Sequence, residues 1–204
     1  MKSSIKAFLL FFYKLHNRFF SKLNQWRNFE LPNSAAIMKE KIILIKKCPS
    51  CQQLTKITGL GKVEIGTNCS FGYKLGGFHK AGLIEIQPRY KDSIIKIGNN
   101  VATNNNIFFC AAHYIEIGDD SLIGLNVIIT DHEAHGIDPL KRRQIGEIGK
   151  VIVGKNVWIG NNVTILKNSE MGDNVIIAAG AIVCGKFPAN VIIGGIPAKI
   201  IRNL

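Results

Sequence analysis

Two histidines three residues apart could carry out proton transfer. His132 and His135 are flanked by Asp131 and Glu133 in residues 130–150, which read TDHEAHGIDPLKRRQIGEIGK. Histidine takes up a proton near neutral pH without special tuning, so it can serve as a general base. The alternative is a solvated or turn-bonded loop histidine, and the spacing alone favours that alternative.

Aliphatic residues recur every six positions on both sides of this segment. Two series share one phase: Ile117, Ile123 and Ile129 before it, and Val153, Ile159, Ile165, Met171, Ile177 and Val183 after it. Ile117 and Val153 are separated by thirty-six residues, six full periods. A segment that interrupts a regular series and leaves it in phase is typical of a functional loop. We therefore predict an extruded loop over residues 130–150.

The six-residue period predicts very short strands joined by tight corners. Each aliphatic residue is followed four positions later by a small or β-branched residue, so both can point to one side of a strand. Asn, Asp or Gly stand between them, and these residues tolerate the left-handed backbone angles of corners. Three such edges close a triangular coil of eighteen residues, and coils must stack to bury their aliphatic side. The period predicts an all-β parallel β-helix; it leaves the handedness open.

The first 56 residues differ from the rest in charge and periodicity. They contain eleven Lys and Arg against two Glu, a net charge of +9 out of +12. The apolar residues of residues 1–29 recur at helical spacing: Ile5, Phe8, Leu9, Phe12, Leu15, Phe19, Phe20, Leu23 and Trp26. We predict an amphipathic N-terminal helical segment over residues 1–56 and a β-helix domain over residues 57–204. The helix suits an anionic membrane surface; alternatively, its apolar face caps the β-helix or packs on a partner subunit.

Several sequence runs resemble those of left-handed β-helix acyltransferases with hexapeptide repeats. They are DHEAHG at residues 131–136, GKNVWIGNNVTIL at 154–166, IIAAGAIV at 176–183 and PANVIIGGIPAKIIR at 188–202. The likeness covers residues 57–204 and is closest to the maltose and galactoside O-acetyltransferase branch and related surface-polysaccharide enzymes. It implies a left-handed β-helix, a homotrimer with active sites between subunits, acetyl-CoA as cosubstrate and a sugar acceptor. No metal is expected.

The resemblance also implies roles for individual residues. His135, followed by Gly136, best fits the catalytic base, and His132 is the competitor. Asn104 is predicted to contact the acceptor. His132, Asp131 or Glu133 is predicted to help orient the base or the acceptor, with Asp131 and Glu133 as acceptor contacts. The predicted cosubstrate contacts are Trp158, Gly160, Asn161, Ala179, Gly180, Lys186, Lys199 and Arg202. Because Asn161 stands where a relative has serine, any oxyanion contact there would use its backbone N–H.

The function predicted from the sequence is O-acetylation of a sugar in capsule, exopolysaccharide or O-antigen synthesis. N-acetylation of an amino sugar or acetylation of an antibiotic would use similar residues. Zinc carbonic anhydrases, which share the β-helix, use three histidines, and this chain has His79, His113, His132 and His135. A catalytically silent β-helix is a further alternative. No nucleic-acid motif accompanies the basic residues, so we expect no nucleic-acid partner. The expected location is cytoplasmic, with possible peripheral contact at the inner face of the membrane through residues 1–29.

Overall fold

A computed structural model of the chain describes residues 2–44 and 48–204, and the side chains of residues 10–16, 18–42 and 48–204. Its main body is a three-sided column of parallel strands, preceded by a helical segment. The predicted fold class is therefore confirmed as an all-β parallel β-helix with an N-terminal α-helix. The predicted apolar positions Ile5, Phe8 and Leu9 lie outside the described side chains.

The strands, numbered along the chain, form three faces of the column. The first face contains β1 (Ile42–Leu44), β4 (Lys62–Ile65), β7 (Ile94–Ile97), β10 (Tyr114–Ile117), β13 (Lys150–Val153), β16 (Ser169–Met171) and β19 (Lys186–Phe187). The second face contains β2 (Ser50–Cys51), β5 (Ser70–Phe71), β8 (Ala102–Thr103), β11 (Leu122–Ile123), β14 (Trp158–Ile159), β17 (Ile176–Ile177), β20 (Val191–Gly195) and the antiparallel β21 (Ala198–Asn203). The third face contains β3 (Thr55–Ile57), β6 (Ile84–Pro88), β9 (Phe108–Ala111), β12 (Ile128–Thr130), β15 (Thr164–Ile165) and β18 (Ile182–Val183).

The six-residue period sets the register of the coils. Trp158 pairs with Ile176 and Thr164 with Ile182, so these coils contain the predicted eighteen residues. Ile117 pairs directly with Val153, which confirms that the intervening segment leaves the period in phase. In each of these two-residue strands, one side chain points into the column. Ile159, Ile165 and Ile177 are such inward residues, and each is at most 1% exposed. Burying each such side chain stabilises the fold by about 1.5–3 kcal/mol.

Asparagine forms the corners for a stereochemical reason. Asn100, Asn126, Asn162 and Asn174 all have φ between 56° and 60°, in the left-handed region that few side chains tolerate. The corner side chains also stack: Asn126 Nδ2 donates to Asn162 Oδ1 at 2.9 Å. The same Asn residue thus adopts the left-handed corner conformation and forms the hydrogen bond between coils.

The β-helix begins earlier than the predicted boundary after residue 56. β1, β2 and β3 pair in parallel with later strands, so the first coil starts at Ile42. This coil lacks the aliphatic-Gly-Asn pattern of later coils, which is why its strands gave no periodic signal. α1 (Lys2–Gln25), a π-helical turn (Trp26–Glu30) and α2 (Ser34–Met38) precede it.

Candidate active site

A shallow groove of about 490 Å³ runs along the second face. Its lining includes the predicted residues Asn104, Trp158 and Asn161, together with Tyr73 and Thr103. Trp158 lies on the outer side of β14, paired between Leu122 and Ile176, and is 56% exposed. The outward positions of stacked coils therefore bring predicted acceptor and cosubstrate residues to one surface.

Asn104 has a free donor on this groove. Its Oδ1 accepts the backbone N–H of Asn105 at 2.8 Å, while Nδ2 donates to no partner among the described residues. Asn105 is buried, and its Nδ2 donates to the carbonyl oxygens of Tyr73 and Gly77. These bonds hold the loop of residues 72–82 beside the groove, so Tyr73 reaches the lining.

Asn161 has an unpaired backbone N–H because of the residue in the next coil. At equivalent corners an Asn or Asp side chain from the following coil accepts this hydrogen: Asp119 accepts from Asn99, and Asp173 from Lys155. The following coil places Ala179 below Asn161, and alanine offers no acceptor. Among the described residues, the N–H of Asn161 consequently has no partner, whereas its Oδ1 accepts from Leu125.

The residues below this corner are small and exposed. The Gly180 N–H donates to the Asn161 carbonyl at 2.9 Å, which stacks the two corners directly. A Cβ on Gly180 would meet nothing within 4 Å, whereas one on Gly160 would lie 2.7 Å from Ala179 N. Gly160 is therefore required for close stacking, and Ala179 and Gly180 leave room for a ligand to lie against the backbone.

The extruded loop is a hairpin-like excursion from the corner between the third and first faces. His132 and Ile148 form an antiparallel bridge, and Gly136 N–H donates to Gln144 O at 2.8 Å. A 3₁₀ turn (Pro139–Lys141) lies near its tip, where the Asp138 side chain accepts the Leu140 N–H. The loop therefore carries its own hydrogen bonds outside the column.

His135 is exposed on this loop and only one ring nitrogen is engaged. Its Nδ1 lies 3.0 Å from the Arg142 carbonyl oxygen. A carbonyl can only accept, so Nδ1 carries the hydrogen and Nε2 keeps a lone pair. No described residue bonds to this Nε2. The arrangement provides a positioned imidazole with a free basic nitrogen.

His132 has the opposite environment. The residue is 6% exposed, its Nδ1 lies 2.9 Å from Asp131 Oδ1, and Arg89 Nη1 lies 3.1 Å from its Nε2. Arginine can only donate, so Nε2 is the acceptor and its lone pair is occupied. The ring of His132 is therefore buried and bonded at both nitrogens within the chain, and its role as the competing base stays a prediction.

Asp131, which is predicted to orient the base or to contact or orient the acceptor, is buried where the loop leaves the column. Asp131 has no exposed surface, and its carboxylate accepts backbone N–H groups from Ala112, His113 and Tyr114 at 2.7–2.8 Å. With the His132 bond, both oxygens are fully used. Asp131 therefore anchors the base of the loop to the column.

Glu133 is also engaged within the protein. Lys167 Nζ lies 3.4 Å from Glu133 Oε1 and contacts Glu147 on the opposite side of the loop. The hydrogen bond from Lys167 lowers the pKa of Glu147 below its ordinary value, and the same bond raises the pKa of Lys167. The Glu133 carboxylate ties the loop through Lys167 to the segment between β15 and β16, and its role towards the acceptor or the base stays a prediction.

The three basic residues predicted near the cosubstrate lie on two faces. Lys199 and Arg202 are exposed on β21 of the second face, opposite Gly194 and Ile192. Lys186 lies on the first face, 3.2 Å from Glu170 Oε2. Lys199 and Arg202 therefore lie on the same face as the groove. Lys186 lies on a different face, because the chain turns a corner between β19 and β20.

Within one chain, His135 does not line the groove. The loop leaves between the third and first faces, whereas the groove lies on the second face. Sequence reasoning missed Arg89, Tyr73, Asn105 and Lys167, which fix the loops. Arg89 and Tyr73 lie in residues 71–95, which lose the six-residue spacing, so no period could identify them.

Among the described residues, no group of three or more His, Cys, Asp and Glu side chains gathers in a metal-binding arrangement. His79, His113, His132 and His135 do not converge within the chain. His132, moreover, is fully bonded by protein groups.

Comparisons with known proteins agree with the repeat and the fold. Residues 150–185 match the family model "Bacterial transferase hexapeptide (six repeats)". The chain is 36% identical over 120 residues to an Escherichia coli protein named "Putative lipopolysaccharide biosynthesis O-acetyl transferase", covering 54% of this chain and 61% of that protein. It is 37% identical over 116 residues to the galactoside O-acetyltransferase of Escherichia coli, covering 55% of each.

A solved galactoside acetyltransferase in complex with coenzyme A has a similar fold. The TM-score is 0.51 at 21% identity, with 92% of this chain and 80% of that chain covered. The aligned region spans 61% and 55% of the two curated relatives, so the match is to part of each. The chain therefore carries the bacterial transferase hexapeptide repeat on a left-handed parallel β-helix, and its predicted resemblance to the hexapeptide-repeat O-acetyltransferases is confirmed.

Proposed function

We propose that the protein is an acetyl-CoA-dependent O-acetyltransferase that modifies a sugar hydroxyl in surface-polysaccharide synthesis. The names of the two similar Escherichia coli proteins support the reaction and the class of acceptor. The observation that carries the proposal is the free Nε2 of His135, held outward on the extruded loop by the bond between Nδ1 and the Arg142 carbonyl. Cytoplasmic location follows from the proposal, because acetyl-CoA is available there.

In this mechanism His135 Nε2 removes the proton of the acceptor hydroxyl as the hydroxyl oxygen bonds to the acetyl carbon. The carbon–sulfur bond then breaks, and CoA leaves as a thiolate that takes up the proton from His135. The Arg142 carbonyl stabilises the imidazolium through Nδ1–H. General-base catalysis of this kind contributes about 10²- to 10⁴-fold in rate.

Backbone and amide donors of the groove complete the site. The unpaired N–H of Asn161 is directed to the oxyanion that develops on the acetyl group, where a fixed donor is worth most. Asn104 Nδ2 is available to an acceptor hydroxyl. Trp158, Ala179 and Gly180 form a surface with room for the pantetheine arm of acetyl-CoA, since Gly180 faces open space.

Lys199 and Arg202 extend this surface with positive charge for the CoA phosphates. Both are exposed on β21, and neither forms an ion pair with an acidic side chain among the described residues. Phosphate oxygens favour such side chains. Lys186 contributes less to this contact, because its ammonium group is paired with Glu170 on another face.

The site requires a second copy of the chain. His135 and the groove lie on different sides of one column, so a neighbouring copy must bring its loop to the groove. A closed ring of three columns provides three equivalent grooves of this kind by rotational symmetry. The proposed assembly is therefore a homotrimer with a shared active site at each interface.

The test is transfer of labelled acetyl groups from acetyl-CoA to a panel of sugars and polysaccharide repeat units by the full chain. We expect a labelled product whose acetyl group is released by hydroxylamine, as an ester is. A hydroxylamine-resistant product would identify N-acetylation and contradict O-transfer. Absence of transfer together with absence of acetyl-CoA binding by calorimetry would contradict the proposal as a whole.

A further inference from the structure

Helix α1 presents apolar side chains to solvent along its described length. Phe12, Leu15, Phe19, Leu23 and Trp26 follow one another at steps of three or four residues, which places them on one face. These five side chains are 41–63% exposed. Among the described residues, α1 approaches the column near β2. The apolar face is therefore not a lid over the β-helix of the same chain.

The open end of the core is closed by other residues. Phe29 has no exposed surface and packs in the hydrophobic core. Asn28 Nδ2 donates to Cys51 O, and Asn33 Nδ2 donates to Thr55 O at 2.8 Å. These bonds fix the chain just after α1, so the helix projects from a rigid base while its aromatic face stays available.

The charges of α1 run beside the apolar face. Lys14, Arg18 and Lys22 recur every four residues and are exposed, and none forms an ion pair with the described acidic side chains. Residues 1–29 contain six Lys and Arg and no Asp or Glu. A helix with a basic flank and an aromatic face is suited to lie in the plane of an anionic bilayer, with the cations at the phosphates. Among the described residues, no helix is long and apolar enough to cross a membrane.

The apolar surface continues beyond the helix. Trp26 also lines a groove of about 400 Å³ with Leu31, Ile37 and Met38. Met38 is 84% exposed and Leu31 is 52% exposed. The surface that could enter the headgroup region thus extends from α1 onto α2, next to the rigid base.

We propose that α1 and the adjoining surface of α2 bind anionic lipid bilayers peripherally. The aromatic face enters the boundary between headgroups and acyl chains, and Lys14, Arg18 and Lys22 contact lipid phosphates. This binding is independent of the proposed transferase reaction, since none of the described residues of α1 lines the second-face groove. The attachment places the column beside the membrane without crossing it.

The test is flotation of the full chain with vesicles of phosphatidylcholine alone and of phosphatidylcholine with phosphatidylglycerol. We expect at least tenfold tighter binding to the anionic vesicles, decreasing with added salt. The triple variant K14Q/R18Q/K22Q should lose about a hundredfold in affinity, because each cation near such a surface contributes about 1 kcal/mol. The matched control K62Q/K91Q/K155Q removes three exposed lysines from the column and should bind as the unchanged protein does.

A second variant, L15S/F19S/L23S, tests the apolar contribution. It should retain the circular dichroism of a folded column and lose binding to both kinds of vesicle. Equal binding of the unchanged protein to neutral and anionic vesicles, or no binding to either, would overturn the proposal. So would a loss of trimer or dimer mass in L15S/F19S/L23S without any vesicle binding by the unchanged chain, because the face would then be covered by a second copy.

Discussion

The column and the extruded loop are stabilised by different means. In the column each coil repeats the same inward aliphatic residues, the same left-handed Asn corners and the same strand ladders. In the extruded loop, backbone hydrogen bonds such as that from Gly136 to Gln144 are supplemented by side chains that occur once: Asp131 and Arg89 fix the start of the loop, and Lys167 joins its two sides. Repetition spreads stability over many equivalent positions, whereas these loop contacts have no equivalent elsewhere.

This difference separates the positions that determine stability from those that determine chemistry. The free imidazole of His135 is exposed and contributes little burial, while inward isoleucines such as Ile159 are fully covered. Substitution of an inward residue of the column should therefore change the free energy of unfolding. Substitution of His135 in the loop should change the reaction.

The largest effect is expected for His135→Ala. Removing the proposed base should lower kcat by about 10²- to 10⁴-fold and leave the dissociation constant for acetyl-CoA nearly unchanged. Steady-state kinetics and calorimetry measure the two quantities, and His16→Ala on exposed α1 is the control with full activity. Full activity of His135→Ala would contradict the proposed mechanism.

The column side of the comparison is tested by Ile159→Ala. The residue has no exposed surface, so the cavity should cost about 2–5 kcal/mol of unfolding free energy, measured by guanidinium denaturation. The control Ile137→Ala lies in the loop at 73% exposure and should change stability by less than about 0.5 kcal/mol. Equal losses of unfolding free energy in Ile159→Ala and Ile137→Ala would contradict the proposed difference between column and loop.

The attachment of the extruded loop to the column is tested by Asp131→Asn. Both carboxylate oxygens accept N–H groups, so either orientation of the amide would place its NH₂ against a donor. The variant should lose about 1–3 kcal/mol of stability and also lose activity because the loop moves. Asp120→Asn is the matched control: Asp120 is exposed at a left-handed corner, and Asn tolerates that geometry. A stability loss without an activity loss would show that the anchor does not position the loop.

The smallest effect is expected from the Lys167 bridge. The pKa of Glu147 is lowered by its hydrogen bond with Lys167, so its contribution is present above the ordinary carboxyl pKa and is lost as pH falls through the lowered value. The pKa of Lys167 is raised by the same bond, so its contribution is present below the ordinary lysine pKa and disappears only as pH rises through the raised value. Hydrogen exchange of the Gly146 and Glu147 amides, corrected for intrinsic rates, should show constant protection between these two limits and less protection below the lower limit and above the upper one.

Lys167→Gln should remove this pH dependence, whereas Lys155→Gln, which breaks a bridge to Asp119 on the column, should retain it. Protection that is unchanged in Lys167→Gln would mean that backbone bonds alone hold the loop closed.

Residues that belong to the six-residue period could be predicted from the sequence. Residues whose contacts occur only once in the fold could not. The inward positions, the Asn corners and the in-phase return at Val153 follow from the six-residue period and are confirmed by the register. Arg89 lies in an aperiodic segment, forty-three residues before His132, so nothing in its spacing could reveal the contact between them. The first coil, which starts at Ile42, also lacks the six-residue period, so the sequence did not predict its strands.

The sequence by itself determined the column, because each coil must satisfy the same steric and hydrophobic requirements and therefore repeats the same residue types. It also determined that His132 and His135 would share a loop. Only the tertiary structure distinguishes their environments, since Arg89 and Asp131 bond both ring nitrogens of buried His132, whereas His135 is exposed and its Nε2 has no partner among the described residues. The unpaired N–H of Asn161 was likewise decided by stacking, which places Ala179 where other corners receive an acceptor.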